Sequence, residues 1–279
     1  MLSKFLNSKM AANSKFHWDF HKENECGYKW ELLSSIYEQW RLQDIGCSNK
    51  IPKIIHQIWI GSKIPAKYEK WRLSWSKMNP EFEYKLWDEK SILGFGLENE
   101  RAYLATQNYG AKSDIARYEI LNRIGGIYAD TDFECLRPLT DRFLKKSFFA
   151  GLIFDKEPIL GNGIMGAAPS SILMDLMVRE TGIPQKTHSP DAIMNSVGPG
   201  KLTEVFFKNI KKLETDSIIF PSDYFYPWPN FIRINERDRY SYITDASVAI
   251  HHWEVSWLRR RVNVQQLKKL LLFIKSLRI

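Results

Sequence analysis

The sequence predicts an α/β fold, in which helices flank a mixed sheet and helical additions stand at both ends. The first observation is segment 51–88, where a β-branched run, a helical stripe of aromatic residues and an alternating strand pattern follow one another. The second is a helical pattern at 111–124 that ends in two glycines and passes into an apolar run. The third is a series of short apolar runs between 147 and 253, which is typical of further strands. Strands that alternate with helices in this way form an open α/β sheet.

The N-terminal residues 1–48 are predicted to form a helical extension. KWELLSSIYEQWRL has its apolar side chains at helical spacing, and the turn-forming DIGCSN follows it. The large apolar residues of this stripe are Trp30, Leu33, Ile36, Tyr37 and Trp40. We take residues 49–258 as the α/β domain and residues 259–279 as a basic, amphipathic C-terminal helix.

The α/β domain is predicted to begin with a strand–helix–strand unit. IPKIIHQIWIG is a nearly continuous apolar run, as expected for a strand that is covered on both faces. AKYEKWRLSWSKMN places aromatic residues on one helical face and is followed by Pro80. EFEYKLWDE then alternates apolar and charged residues with the period of a strand.

The next helix is expected in AKSDIARYEILNRIGG, with Ser113 as its N-cap and Gly125 just after its end. IYAD is the strand that follows. Later strands are predicted at SFFAGLIF, NGIMGA, SIIFP and SVAIHHW, with helices near 170–180 and 201–211.

Composition limits the function and the location. The net charge of +8 suits an anionic partner, but the positive charge is concentrated in the C-terminal tail and no nucleic-acid motif is visible, so we expect no nucleic-acid binding. The three cysteines have no metal-type spacing and are odd in number, which fits a reducing compartment. MLSKFLNSKMAANSKFHWDF lacks the apolar core of a cleavable signal, and no stretch approaches the roughly 20 apolar residues of a membrane span. These features predict a cytoplasmic protein.

The tail RRRVNVQQLKKLLLFIKSLRI has two interpretations. Its leucines and Ile274 can share one helical face while the basic residues lie largely elsewhere, which fits an interfacial helix on the inner, anionic face of the cytoplasmic membrane. The alternative is a C-terminal helix that packs on the domain and exposes its charges to water. The sequence leaves both open.

The stretch GGIYADTDFE, residues 125–134, carries the chemistry. Alternation along a strand puts Tyr128, Asp130 and Asp132 on one side, with the two carboxylates about 6–7 Å apart at the backbone. They follow the carboxyl end of a strand, where open α/β sheets bind ligands. The preceding helix supplies Asp114 and Arg117, three residues apart and hence on one face. Three acids and one arginine suit a divalent metal that holds a diphosphate.

SDIARYEILNRIGGIYADTDFE resembles the central signature of the glycosyltransferases that have a DXD sugar-binding region. That family includes the yeast initiating α-1,6-mannosyltransferase and many bacterial polysaccharide enzymes, and the glucosylating domain of the large clostridial cytotoxins is a more distant match. The resemblance extends in order through IPKIIHQIWIG, NPEFEYKLWDE, NGIMGAAP, GPGKLT, IIFPSDYFYPW and AIHHWEVSW, about residues 51–258. It implies a GT-A fold, a nucleotide-sugar donor, and Mn²⁺ or Mg²⁺ on the diphosphate.

The resemblance also implies roles for single residues. Asp130 matches the first acid of the DXD motif, which touches ribose and metal, and Asp132 matches the direct metal ligand. Asp114 and Arg117 match the pair beside the donor sugar and the phosphate, and Tyr128 lies beside the nucleotide. Three more residues complete the implied donor site: Trp59 matches a tryptophan that stacks on uracil, Trp257 matches one that closes over the donor, and Asn162 is a candidate sugar or acceptor contact.

Several of these assignments have a plainer alternative. One histidine of the pair His251 and His252 is expected to complete the metal site, with the family pattern favouring His251, but both can equally pack or face solvent. Trp257 can belong to the core, and Asn162 followed by glycine can form a turn.

The family retains anomeric configuration, so the resemblance implies an α-linked product. A UDP-sugar is favoured as donor, with GDP-mannose as the other choice, and the acceptor is a glycan or a lipid-linked oligosaccharide. The expected role is bacterial surface polysaccharide synthesis, with a toxin-type or effector-type enzyme that modifies a host protein as the alternative.

Two other protein classes compete with a transferase. An aspartyl-nucleophile phosphatase or phosphotransferase also has a DxD after an apolar strand. Such an enzyme, however, has Thr or Val at the position of Glu134 in this chain, and its motif lies nearer the start of the domain. A non-catalytic nucleotide-sugar-binding module is the other class, and the intact acids and arginine argue against it.

Overall fold

The computed structural model describes residues 27–42, 46, 48–154, 158–181, 189–230 and 236–254. In chain order its helices are α1 (Gly27–Leu42), α2 (Ala66–Met78), α3 (Glu89–Phe95), α4 (Glu100–Ala105), α5 (Tyr109–Ile124), α6 (Ile172–Glu180), α7 (Pro190–Ser196), α8 (Pro199–Lys208), α9 (Ile210–Leu213) and α10 (Ser222–Phe225). The strands are β1 (Ile54–Ile58), β2 (Glu83–Trp87), β3 (Gly126–Ala129), β4 (Phe133–Cys135), β5 (Phe148–Phe154), β6 (Pro158–Ala167), β7 (Ser217–Phe220) and β8 (Ala249–His251). Among the described residues, Asp141–Leu144 and Glu236–Tyr242 are 3₁₀ helices.

Within the described residues the strands form a mixed sheet of six and a separate ribbon of two. The order across the sheet is β2-β1-β3-β6-β5-β7. β1 is parallel to β2 and β3, β6 runs antiparallel to β3 and β5, and β7 is parallel to β5. β4 and β8 pair antiparallel in the ribbon. The predicted mixed α/β architecture is confirmed.

The strand–helix–strand unit at 51–88 is present as predicted. β1 and β2 pair in parallel from Ile54 opposite Glu83 to Ile58 opposite Trp87. The aromatic stripe of α2 is buried through Tyr68, Trp71 and Trp75, which explains why this polar helix stays on the domain. Because β1 is parallel to both β2 and β3, the carboxyl ends of these three strands lie at one edge of the sheet.

Helix α1 packs on the domain through the predicted apolar stripe. Trp30, Leu33, Ile36, Tyr37 and Trp40 are all buried. The Trp40 ring stands perpendicular to that of Phe220 in β7 at 5.0 Å, and the Tyr37 and Tyr224 hydroxyls lie 3.0 Å apart. The helical part of the N-terminal extension therefore joins the same core as the sheet, and its first 26 residues lie outside the described part of the chain.

The predicted N-cap of the central helix is wrong. α5 begins at Tyr109, and the side chain of Asn108 accepts the Ala111 N–H at 3.0 Å. Asn is as good a cap as Ser, and residues 109–112 contain no proline, so the cap nearer the N-terminus takes effect although Gly110 is a weak helix former. Ser113 lies inside the helix, where its hydroxyl is 3.1 Å from the Tyr128 hydroxyl. Gly125, by contrast, ends the helix as predicted, with φ +71°.

Crossing a membrane requires a longer and more apolar helix than any in the described residues. The tail 259–279, for which an interfacial helix was one prediction, lies outside them.

The buried His56 of β1 gives a prediction for stability. Its Nδ1 accepts the indole N–H of Trp87 at 3.1 Å, so Nε2 carries the proton and donates to the Gly125 carbonyl at 2.9 Å. Burial lowers the pKa of His56 to about 4. Between pH 6.5 and 4 the unfolded chain binds a proton that the folded chain does not, so the free energy of unfolding is expected to fall by about 3 kcal/mol as pH drops through this window.

Urea unfolding of wild type and His56→Gln at several pH values checks this. Gln supplies both an acceptor and a donor but does not titrate. Between pH 6.5 and 4 the free energy of unfolding of the variant should therefore fall by about 3 kcal/mol less than that of wild type. Parallel curves for the two proteins would contradict it.

Candidate active site

The two aspartates of the DXD motif lie on a tight turn between β3 and β4. The Asp130 N–H donates to the Gly163 carbonyl of β6 at 2.7 Å, and the Phe133 N–H closes the turn on the Asp130 carbonyl at 3.0 Å. The same carbonyl accepts the side-chain amide of the fully buried Gln57 at 3.2 Å. Both neighbouring strands of β3 therefore hold this turn, which fixes where the carboxylates point.

A buried arginine bridges two acids beside this turn. Nη2 of Arg117 lies 3.1 Å from Oδ1 of Asp114 and 3.1 Å from Oδ1 of Asp130. Its Nη1 donates to the Asn162 carbonyl at 2.7 Å, and its guanidinium lies 4.3 Å from the centre of the Tyr128 ring. The predicted pairing of Asp114 and Arg117 on one helix face is thus present.

Tyr128 and Asn162 complete this buried group. The Tyr128 hydroxyl donates to Oδ1 of Asp130 at 2.6 Å, and the side chain is buried. Asn162 lies inside β6, not in the turn that its following glycine allowed, and its amide donates to Oδ1 of Asp114 at 2.8 Å. What the structure shows for Tyr128 is a support for Asp130, and its place beside a nucleotide stays a prediction.

Two carboxylates share one arginine here, and burial governs their protonation. Burial raises the pKa of Asp114 to about 7, although the Arg117 charge opposes the rise. Burial also raises the pKa of Asp130, again against the Arg117 charge and with the Asp132 charge adding to the rise. An additional positive charge near Asp130 and Asp132 would relieve this repulsion.

Asp130, Asp132 and His251 offer three ligand atoms that all lie within 4.8 Å of one another. Nε2 of His251 is 3.1 Å from Oδ1 of Asp132, and the Glu254 N–H donates to Oδ2 of Asp132 at 2.8 Å. Burial raises the pKa of Asp132, but the His251 charge, its hydrogen bond and the Glu254 N–H outweigh burial and lower the pKa below its ordinary value. This acid is therefore held ionised.

The residues present fit a divalent cation. Nδ1 of His251 is buried without a hydrogen-bond partner, and its ring is stacked at 4.4 Å on Phe133, which fixes its orientation. Two carboxylates and one imidazole form a donor set that suits a cation such as Mn²⁺.

His252 faces the other way and takes no part in this cluster. It is buried, its ring stacks on Trp71 at 3.9 Å, and its Nε2 lies 3.0 Å from Oε2 of Glu134. Side chains of neighbouring residues in extended backbone point to opposite sides, so only one histidine can reach the acids. The structure brings His251 to them.

The predicted donor contact Trp59 has its own contacts outside this cluster. Trp59 follows β1, is half-buried, donates its indole N–H to the Ser62 carbonyl at 2.8 Å and packs against Tyr68 at 4.8 Å. It therefore stands at the same edge of the sheet as the DXD turn. Trp257 lies outside the described residues.

Comparisons with known proteins identify the family. The family described as "Glycosyltransferase sugar-binding region containing DXD motif" matches residues 65–150. An uncharacterized glycosyltransferase of Acanthamoeba polyphaga mimivirus is 33% identical over 187 residues, which are 63% of this chain and 73% of the viral protein. The chain belongs to the DXD glycosyltransferase family. This confirms the resemblance read from the sequence.

Two other proteins extend the comparison. Inositol phosphoceramide mannosyltransferase 3 of Schizosaccharomyces pombe is 38% identical over 98 residues, which are 33% of this chain and only 27% of the yeast protein. The solved structure "PaToxG Glycosyltransferase" superposes with a TM-score of 0.50 at 18% identity, covering 70% of this chain and 80% of its own. This last likeness supports the GT-A fold.

The glycosyltransferase site also depends on residues that the sequence patterns did not single out. Gln57, Gly163 and the backbone of Glu254 hold the two aspartates, as described above. Gln57 in turn accepts the Tyr84 hydroxyl at 2.6 Å. Each of these contacts joins segments far apart in the chain, so no local pattern could reveal them.

Gly163 gives a direct test of the site geometry. A Cβ at this position would lie 2.8 Å from Oδ2 of Asp130, so Gly163→Ala must displace that carboxylate. We expect a loss of turnover of about 10–100-fold, because small misplacements of acting groups cost that much. The cost in stability should be about 1–3 kcal/mol, because the new Cβ would also lie 3.1 Å from the buried Phe133 ring, which has to shift slightly.

Gly94→Ala is the matched control, because a Cβ there meets no atom within 4 Å. It should leave activity unchanged. Full activity in Gly163→Ala would show that the position of Asp130 is unimportant.

Proposed function

We propose that this glycosyltransferase is a metal-dependent, retaining enzyme that moves a sugar from a nucleotide-sugar donor to a glycan or lipid-linked acceptor and forms an α-glycosidic bond. The observation that carries the proposal is the convergence of Asp130, Asp132 and His251 next to the buried Arg117. When the sugar leaves a nucleotide-sugar donor, negative charge develops on the departing diphosphate. A cation held by these three residues, together with Arg117, would offset that charge.

The three ligand residues would hold Mn²⁺ or Mg²⁺, which when bound neutralises charge on a diphosphate. Asp132 is kept ionised by His251 and the Glu254 N–H, so it is ready to bind a cation at neutral pH. Asp130 is kept in place by Tyr128 and by the Gly163 carbonyl.

Arg117 supplies a permanent positive charge beside these acids. It is buried, so its charge acts through a medium of low polarity and is worth more than at the surface. It also orients Asp114, whose remaining acceptor capacity suits donor-sugar hydroxyls together with Asn162. We propose attack by the acceptor on the face that the diphosphate leaves, with the departing phosphate removing the acceptor proton.

For the donor we propose a UDP-sugar or GDP-mannose. Trp59, at the same edge of the sheet as the DXD turn, offers a flat face for a base, and the yeast relative is named an inositol phosphoceramide mannosyltransferase. For the biological role we propose surface polysaccharide synthesis in the cytoplasm, at the membrane that carries a lipid-linked acceptor. A toxin-type enzyme that modifies a protein is the second candidate, and the acceptor decides between them.

A panel of nucleotide sugars tests the proposal. Each donor is incubated with the protein and Mn²⁺, Mg²⁺ or EDTA, and both hydrolysis and thermal stabilisation are measured. We expect one preferred donor, turnover only with metal, and stabilisation by that donor in the presence of the ion.

Acceptor addition then separates the roles. A lipid-linked saccharide should accelerate consumption of the preferred donor, whereas a protein acceptor would support the toxin-type alternative. Hydrolysis of p-nitrophenyl phosphate without any turnover of nucleotide sugars would contradict the proposal and favour a phosphatase. A protein that neither hydrolyses nor binds any donor would contradict it as well.

A further inference from the structure

The two-stranded ribbon β4–β8 positions two of the three candidate metal ligands, Asp132 and His251. Only three residue pairs form it, among them Phe133 opposite His251. Asp132 immediately precedes β4, and His251 is the last residue of β8. A ribbon this short does not hold its own geometry in water, so the separation of Asp132 and His251 must be fixed by contacts elsewhere.

Those contacts lie on the face of the ribbon that is turned away from the acids. Glu134 and His252 bridge the two chain segments at 3.0 Å, and the Tyr240 hydroxyl donates to the same Glu134 oxygen at 2.8 Å. His252 is fully buried at its side chain and Glu134 is 17% exposed. The backbone ties the two faces together, because the His252 N–H donates to the Asp132 carbonyl at 2.9 Å.

The hydrogen-bond directions in this bridge follow from the arginine on its far side. Nη1 of Arg239 lies 2.9 Å from Nδ1 of His252. A guanidinium can only donate, so Nδ1 accepts and the imidazole proton is on Nε2, from which it points at Glu134. The ring is also stacked on Trp71 of α2. Every polar atom of His252 is therefore engaged without any role in the metal-facing cluster.

We infer that Glu134 and its two hydrogen-bond donors, His252 and Tyr240, are positioning residues, which together clamp the ribbon and thereby set the distance between Asp132 and His251 for the cation. The inference rests on the proposed function, since it concerns the same metal site. Outer partners that orient metal ligands typically change metal affinity by about 10–100-fold when removed. Here the clamp acts across the ribbon and contributes no ligand atom to the cluster of Asp130, Asp132 and His251.

The test compares Glu134→Ala with Glu134→Gln in the full chain. Mn²⁺ affinity is measured by electron paramagnetic resonance of the free ion, and folding by thermal melting. Glu134→Ala should bind Mn²⁺ about 10–100-fold more weakly. Glu134→Gln should stay close to wild type, because its amide oxygen can still accept from both His252 and Tyr240. Glu204→Ala removes an exposed carboxylate that pairs with Lys201 and serves as the control.

Wild-type Mn²⁺ affinity in Glu134→Ala would overturn the inference and leave the proposed function standing. Equal losses in the Ala and Gln variants would also overturn it, because the hydrogen bonds would then not be what matters. A wild-type protein that binds no Mn²⁺ would instead refute the metal-dependent function itself, and the inference with it.

If Glu134→Ala does not fold, Tyr240→Phe decides. Tyr240 is 46% exposed, so the loss of its hydroxyl does not threaten the fold, yet it removes one of the two donors to Glu134. Weaker Mn²⁺ binding supports the clamp, and unchanged binding overturns it.

Discussion

Asp132→Asn is expected to lose glycosyl transfer by on the order of 10³-fold while it still folds. Asp132 is buried, is kept ionised by His251 and the Glu254 N–H, and is one of three residues that face the cation site. Asn keeps an oxygen that can accept the Glu254 N–H, but it lacks the negative charge that a divalent ion requires. The fold should therefore lose only about 1–2 kcal/mol, whereas metal binding is largely lost.

Initial rates with the preferred donor and saturating Mn²⁺, together with urea unfolding, measure both effects. The control is Asp175→Asn on α6, whose carboxylate is exposed and pairs only with Arg179 within the described contacts. It should show full activity and near-wild-type stability. Retention of more than a tenth of the wild-type rate in Asp132→Asn would contradict the assigned role.

Arg117→Ala is expected to be the most destabilising single change at the site, by about 3–5 kcal/mol, and to abolish activity. Its guanidinium is buried and lies within 3.1 Å of both Asp114 and Asp130. Without it the buried Asp114 and the partly buried Asp130 lose their shared counter-charge, and the Asn162 carbonyl loses its donor. Removing one partner of a buried ion pair leaves an uncompensated charge, which costs more than the pair contributes.

A double variant separates stability from chemistry. Arg117→Leu with Asp114→Asn removes one positive and one buried negative charge, so it should recover part of the stability that Arg117→Ala loses. It should remain inactive, because the Arg117 charge and the Asp114 carboxylate are both missing. Urea unfolding and donor hydrolysis are the two measurements. A loss below about 1 kcal/mol in Arg117→Ala, or activity in the double variant, would contradict this account.

The fold was predictable where side-chain period and local chemistry agree. The apolar run before Gly61 and the aromatic stripe of α2 each report a local environment, and the structure confirms both. β2 is a strand, as its alternation predicts, but Leu86 is exposed and Trp87 is buried. Ser113 misled the prediction because two residues could cap α5, and which one does so depends on whether the backbone between them continues the helix. β6 begins at Pro158, four residues before the predicted NGIMGA, because its pairing with β5 extends the strand.

The site was predictable in its charged residues but not in its supports. Asp130 and Asp132 are marked by their position after an apolar strand, and Asp114 and Arg117 by their helical spacing. The contact of Gly163 with Asp130 exists because β3 and β6 pair antiparallel with Ala129 opposite Ile164. That register is a tertiary property, and no spacing in the sequence encodes it. The choice of His251 over His252 likewise needed the ribbon β4–β8.

The central claim is that a divalent ion is held by Asp130, Asp132 and His251 and contacts the diphosphate of an activated sugar. A crystal structure of the protein soaked with Mn²⁺ and the nucleoside diphosphate of its preferred donor tests it most directly. The account predicts an anomalous manganese peak within coordination distance of those three side chains, with the diphosphate as a further ligand. A manganese ion located elsewhere, or a diphosphate that lies too far from these aspartates to contact an ion bound by them, would contradict it.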